Sequence, residues 1–169
     1  MTTINPFIID FLEKAGKEVI VDANVLILYF VGTANKEYIQ KVKATKDIYN
    51  EKDYETIKFI LSKFKDIITT PNILTEVSNF VGQKDYLKED LFDTFMDLIC
   101  SSCFIEEFVD SPKISKDRAF NRFGLTDIAI AKLSEQKIGV ITQDFDLFRE
   151  LERREIPVLN FNYVIDYEK

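Results

Sequence analysis

Four acids stand out in this sequence as side chains whose type and placement suit chemistry: Asp22, Glu76, Asp127 and Asp144. Asp22 lies inside VIVDANVLILYF, residues 19–30, a run that is otherwise apolar apart from Asn24. A carboxylate left ionised in such surroundings either costs several kcal/mol or takes up a proton, unless a positive charge is held against it. Asp144 follows the apolar run GVIT, with Asp146 two residues on; Asp127 opens the helical pattern TDIAIAKL. Glu76 sits at the flank of an apolar helical stripe made by Ile73, Leu74, Val77, Phe80 and Val81, where a long side chain borders the core. Each acid also has a plainer reading. Asp127 and Asp144 suit helix N-termini, Asp146 suits a first helical turn, and Glu76 suits an ordinary surface.

Taken together the acids say more. Several carboxylates facing one point cannot all stay ionised without a cation between them. The chain has no histidine, which excludes a Ser-His-Asp or Cys-His triad, a His general base and the usual His-containing zinc sites. Oxygen-only ligands select Mg²⁺ or Mn²⁺, and the chemistry that follows is metal-assisted attack of water on a phosphodiester. An aspartyl-phosphate enzyme with Asp22 as nucleophile would want a second Asp two residues on, and Asn24 stands there. Cys100 and Cys103 form a C-x-x-C, but they follow a helical pattern and precede a strand-like one, the reverse of a redox motif. Zinc would need further ligands, so buried structural thiols are expected.

The elements that must position these acids alternate. EVIVDA, DIITT, CFIEEFV, IGVIT and IPVLNF read as strands, with helical patterns between them. A first helix ends near Gly16, NVLILYFVG forms a short apolar helix ending at Gly32, and Pro71 opens the helix that carries Glu76. Residues 35–65 have helical spacing broken at NEKD and read as a helical hairpin inserted in the domain. Strand–helix alternation predicts a parallel five-stranded sheet in a three-layer α/β/α sandwich. Ligands in such sheets bind beyond the carboxyl ends of the strands, and Asp22 and Asp144 fall there.

A length of 169 residues predicts one domain spanning 1–169. Fifteen Phe and seven Tyr predict an aromatic-rich core, and five Gly with four Pro argue against a turn-rich sandwich. A net charge of −7 and a pI of about 4.8 exclude coating of nucleic acid by bulk positive charge. A pocket of acids filled with cations still reverses its own sign. Arg118 and Arg122, with Lys84 and Lys88, are candidate contacts to substrate phosphates, and equally suit a plain charged surface. The run at 19–31 is too short to span a bilayer and no basic leader is visible, so a cytoplasmic chain without membrane association is expected.

VIVDANVLI, TEVSNF after a Pro-started helix, LTDIAIAKLS and VITQDFDLF resemble, in order, the acidic motifs of PIN-domain nucleases, over residues 18–160. The resemblance implies the same α/β/α sandwich and an Mg²⁺- or Mn²⁺-dependent endoribonuclease, often a homodimer. It maps Asp22, Glu76, Asp127 and Asp144 onto the family's acidic tetrad and Asp146 onto a position that is acidic in part of the family. Asn24 and Thr142 match polar positions that support the acids through hydrogen bonds. Many small bacterial members are toxins of toxin–antitoxin pairs, each neutralised by an antitoxin; the 35–65 segment is larger than theirs. The alternative expectation is a catalytically silent scaffold of the same fold, binding a partner through that hairpin.

Overall fold

The computed structural model describes residues 5–82, 85–167 and 169. In chain order its elements are α1 (Pro6–Lys14), β1 (Glu18–Val21), α2 (Ala23–Ala34), a 3-10 turn (Lys36–Gln40), α3 (Glu51–Leu61), β2 (Asp66–Thr69) and α4 (Pro71–Val81). A short 3-10 turn (Asp85–Leu87) then leads into α5 (Lys88–Ile99), β3 (Phe104–Glu106), α6 (Ser111–Ile114) and α7 (Phe120–Ser134). The chain closes with β4 (Gly139–Thr142), α8 (Phe145–Arg153), β5 (Val158–Asn160) and α9 (Phe161–Tyr167). The five strands form one all-parallel sheet in the order β3-β2-β1-β4-β5. Helices cover both faces, giving the expected α/β/α architecture.

The central strands are β1 and β4, paired Val19 to Gly139 and Val21 to Ile141. Their residues are β-branched and buried on both faces, as a central parallel strand requires. The chain leaves β1 toward β2 and leaves β4 toward β5, so the order reverses between them. In open parallel sheets such a reversal is where ligands bind, here beyond the carboxyl ends of β1 and β4.

Helix α2 is apolar all round because it is buried all round, against α3, α4 and α5. It runs past Gly32, where the sequence suggested a stop. Gly32 has another reason to be glycine: a Cβ there would run into the Tyr54 ring, so the residue lets α3 seat closely on α2. Helix α4 starts at Pro71 behind Thr70, whose hydroxyl accepts from the Ile73 N–H at 3.2 Å; such a cap is worth about 1 kcal/mol.

The 35–65 segment departs from the expected helical hairpin. Only its second arm, α3, is an α-helix; the first arm is the 3-10 turn followed by hydrogen-bonded turns through Ile48. The turns are closed by Thr45, whose buried hydroxyl donates to the Ile39 carbonyl at 2.8 Å. Ile39, Val42 and Tyr49 lie in the main core, so the segment is built into the molecule rather than appended to it. The cysteines also differ from expectation: Cys100 and Cys103 are free and exposed, at the turn between α5 and β3.

Helix α7 is two helical pieces across a break at Gly124, whose φ of 75° and ψ of −168° lie in a region open to glycine alone. The loop before it is held by Arg154, which donates to Asp117 at 3.0 Å and to Glu150 at 2.7 Å. Lys132 stands 3.6 Å from the same Asp117. The hydrogen bonds from Arg154 and from the Ala119 N–H hold the Asp117 carboxyl down at about 2. Among the described residues, no helix is long and apolar enough to cross a membrane.

Candidate active site

Asp22 is the N-cap of α2, placed by β1 at the reversal of strand order. It is 5% exposed and held rigidly. One carboxylate oxygen accepts from the Ala23 N–H at 2.7 Å and the other from the Thr142 hydroxyl at 2.8 Å. Thr142 ends β4, is fully buried, and its Oγ1 also accepts from the Asp144 N–H at 3.0 Å. A single hydroxyl thus couples Asp22 to the turn that carries Asp144. Asp144 caps α8, one oxygen accepting from the Leu147 N–H at 2.8 Å, and its side chain stays exposed to solvent.

Glu76 reaches in from α4 and accepts from the Thr126 hydroxyl at 2.7 Å. Asp127 is the next residue after Thr126, in the helical piece that restarts after Gly124. It is half-buried and accepts no hydrogen bond from the described residues.

These four acids act on one another. Burial, with added repulsion from Glu76 and Asp144, pushes Asp22 up to about 6 despite its two hydrogen bonds. Burial, then Asp22, Asp144 and Glu76 in turn, pushes Asp127 up to about 7. Carboxylates from four separate elements therefore share one electrostatic site at the carboxyl ends of the strands. Among the described residues, no Lys or Arg offsets the burial of either raised acid. Among the described residues, however, no three acids are already drawn together closely enough to hold a metal ion. Mutual repulsion opposes a closer approach.

The remaining predicted residues divide. Thr142 bonds an acid as expected. The Asn24 side chain is exposed and makes no hydrogen bond among the described residues; its carbonyl is the group engaged, accepting from the Tyr49 hydroxyl at 2.8 Å. Asp146 stands outside the cluster and is bound by Arg122 at 2.8 Å, both side chains being well exposed. Arg118 is exposed, and Lys88 lies 5.9 Å from the centre of the Phe92 ring. Lys84 lies outside the described residues.

Three contributors went unread in the sequence. Tyr49 is 3% exposed, and its hydroxyl meets both the Asn24 carbonyl and Gln143 Oε1, at 2.8 and 2.5 Å. It therefore ties together the turns that follow β1 and β4. Gln143 in turn donates to Asn162 Oδ1 at 3.1 Å, and Asn162 returns a bond to the Gln143 carbonyl at 2.9 Å. Thr126 positions Glu76. Only Thr126 had a sequence signal, as the neighbour of Asp127.

Two buried polar atoms have no partner among the described residues, Thr69 Oγ1 and Asn160 Nδ2. Each belongs to the last residue of its strand, at the same end of the sheet as the acids. Buried orphans of this kind are uncommon and concentrate where a site is built for something else. A hollow of about 270 Å³ lies beside Glu76, lined by Pro71, Asn72 and Thr75. A larger one, about 480 Å³, sits at the amino ends of the strands between α1 and the approach to β5, far from these acids. Comparison of the chain with protein-family models, with curated proteins and with solved structures finds no match.

Proposed function

We propose that this chain is a metal-dependent endoribonuclease of the PIN-like type, which hydrolyses RNA phosphodiesters at the Asp22, Glu76, Asp127 and Asp144 cluster. The observation that carries the reading is the mutual electrostatic action of these acids at the reversal of strand order, with Asp22 and Asp127 pushed up to about 6 and about 7. A fold gains nothing in stability from holding charge where burial penalises it. Perturbed acids in a crevice are the usual mark of a site under functional demand.

The donors suit Mg²⁺ or Mn²⁺ in kind, being oxygen only, with no histidine in the chain and both thiols remote at the α5–β3 turn. Asp22, Asp127 and Asp144 would hold the ion, with Glu76 sharing it. When bound, such an ion lowers the pKa of water and stabilises charge on phosphate oxygens. The chain's own residues supply the rest. Thr142 and the Ala23 N–H fix both oxygens of Asp22, so that carboxylate cannot turn away. Thr126 fixes one oxygen of Glu76 and leaves the other free. Asp144 spends one oxygen on capping α8 and presents the other. Asp127 has both oxygens free of hydrogen bonds, and at neutral pH it exchanges a proton readily.

The scaffold reading loses ground on a specific point. Through Tyr49, the segment meant to bind a partner is bonded to the turns that hold the acids. It is part of the site's support.

The test is cleavage of single-stranded RNA with Mn²⁺ by wild type and by Asp22→Asn. Wild type should cleave and the variant should fall by at least about a hundredfold, the scale on which activating groups act. Equal activity in both would remove Asp22 from the reaction.

A further inference from the structure

Besides the acids, the carboxyl-end rim of the sheet carries a chain of aromatic rings with no assigned role. Phe145 directly follows Asp144, in the first turn of α8. Tyr163 of α9 packs against it, with ring centres 6.2 Å apart and planes at 85°. Phe7, in the first turn of α1, continues the line at 5.4 Å from Tyr163, and Tyr167 stands 6.4 Å beyond Phe7 at 87°. The topology puts them all at one end. Helix α1 runs down before β1 rises, so its first turn is at the top, where α8 leaves β4 and α9 leaves β5. Asn5 confirms the join by donating to the Val164 carbonyl at 3.4 Å.

These rings are not closed off by one another. Phe7, Phe145 and Tyr167 are 43%, 44% and 50% exposed, large values for aromatic side chains. Their contacts with one another are tilted or edge-on rather than stacked. The Arg149 guanidinium lies 4.7 Å from the centre of the Phe145 ring and has no ion pair among the described residues.

We infer that this rim is a stacking platform for unpaired bases of single-stranded RNA, leading away from the acidic cluster on the β5 side. The inference rests on the nuclease reading, since it assigns the path of the strand that the acids would cut. The net charge of −7 supplies no bulk attraction for a phosphate backbone, and Arg122 is already bound to Asp146. Affinity for a nucleic acid strand must then come from ring–base stacking, which is worth a factor of about ten per base and tolerates any sequence. Arg149 adds the one cation the platform needs beside its first ring. A protein partner fits less well, because the open groups are aromatic faces interleaved with the polar Asn162 and Asp166 and begin at the residue after a candidate catalytic acid.

The test measures binding without metal, so that nothing is cut. The probes are a fluorescein-labelled short oligouridylate and an oligomer of equal length that lacks bases. Wild type should bind the first at least about tenfold more tightly, with a shallow dependence on salt. Phe145→Leu combined with Tyr163→Leu keeps apolar bulk but removes the ring faces; it should lose that margin, and Phe145→Trp should keep it. Thermal melting checks that the variants are folded. Equal binding of the two probes by wild type overturns the platform, as does an undiminished margin in the folded double variant; a protein-docking face would give the first of these results. If base-dependent binding is present but Mn²⁺ brings no cleavage, the nuclease reading fails and the platform stands. If cleavage occurs with no base dependence, the platform fails and the nuclease reading stands.

Discussion

Asp22 is held where burial penalises its charge. Its carboxylate is buried, and its two hydrogen bonds do not offset the desolvation, so it holds a proton up to about pH 6. In the unfolded chain the same group ionises near 3.8. Between these values the folded state binds the extra proton, so stability falls as pH rises and then levels off once both states are ionised. For Asp22 alone the loss is on the order of 3 kcal/mol. Asp127, pushed up to about 7, acts with the same sign over a slightly higher window. The metal-free protein should therefore show a higher urea midpoint at pH 5 than at pH 7.5. Asp22→Asn, which keeps an acceptor for the Ala23 N–H and removes the charge, should raise stability at pH 7.5 by about 2 kcal/mol and flatten part of this pH dependence. A midpoint that rises toward pH 7.5 would contradict the burial account. Asp117 runs the other way: held down at about 2 by Arg154, it contributes stability above pH 3.8 that is lost as pH falls toward 2.

At the scale of elements, the site depends on two joints. Gly124 breaks α7 so that Thr126 and Asp127 open a fresh helical turn facing α4. No atom stands within 4 Å of a Cβ placed there, so Gly124→Ala strains the backbone alone. It should cost about 1–3 kcal/mol and reduce cleavage by more than that loss of folded protein explains, as thermal melting and kinetics together would show. Tyr49 is the second joint. Tyr49→Phe keeps the buried ring and deletes the bonds to Asn24 and Gln143; it should weaken Mn²⁺ binding several-fold while costing about 1 kcal/mol of stability. Unchanged metal affinity would leave Tyr49 as core packing only. What the sequence showed at this scale follows from local physics. The strands were legible because buried parallel strands are runs of β-branched residues, and Asp22 and Asp144 because each follows such a run. Tyr49 and Gln143 were not, since they reach the site only through the tertiary path of an irregular segment. The first arm of residues 35–65 has helical spacing, but Ile39, Val42 and Tyr49 bury in the core from turns instead. α9 was hidden because it begins directly after β5, so that Phe161 reads as the end of the strand IPVLNF.

Over the whole molecule, one end of the parallel sheet gathers the raised acids, the unpartnered Thr69 and Asn160 groups and the aromatic rim. The other end holds the larger hollow, beside the Asp10–Lys14 ion pair. The proposal that four acids from four elements make one divalent-cation site is tested by calorimetric titration with Mn²⁺. The protein should bind Mn²⁺ at pH 6 with release of protons, since the ion displaces those held there by Asp22 and Asp127. Each of Asp22→Asn, Glu76→Gln, Asp127→Asn and Asp144→Asn should weaken binding by about tenfold or more, whereas Asp146→Asn should leave it nearly unchanged. No Mn²⁺ binding by wild type, or equal binding by all four variants, would contradict the account.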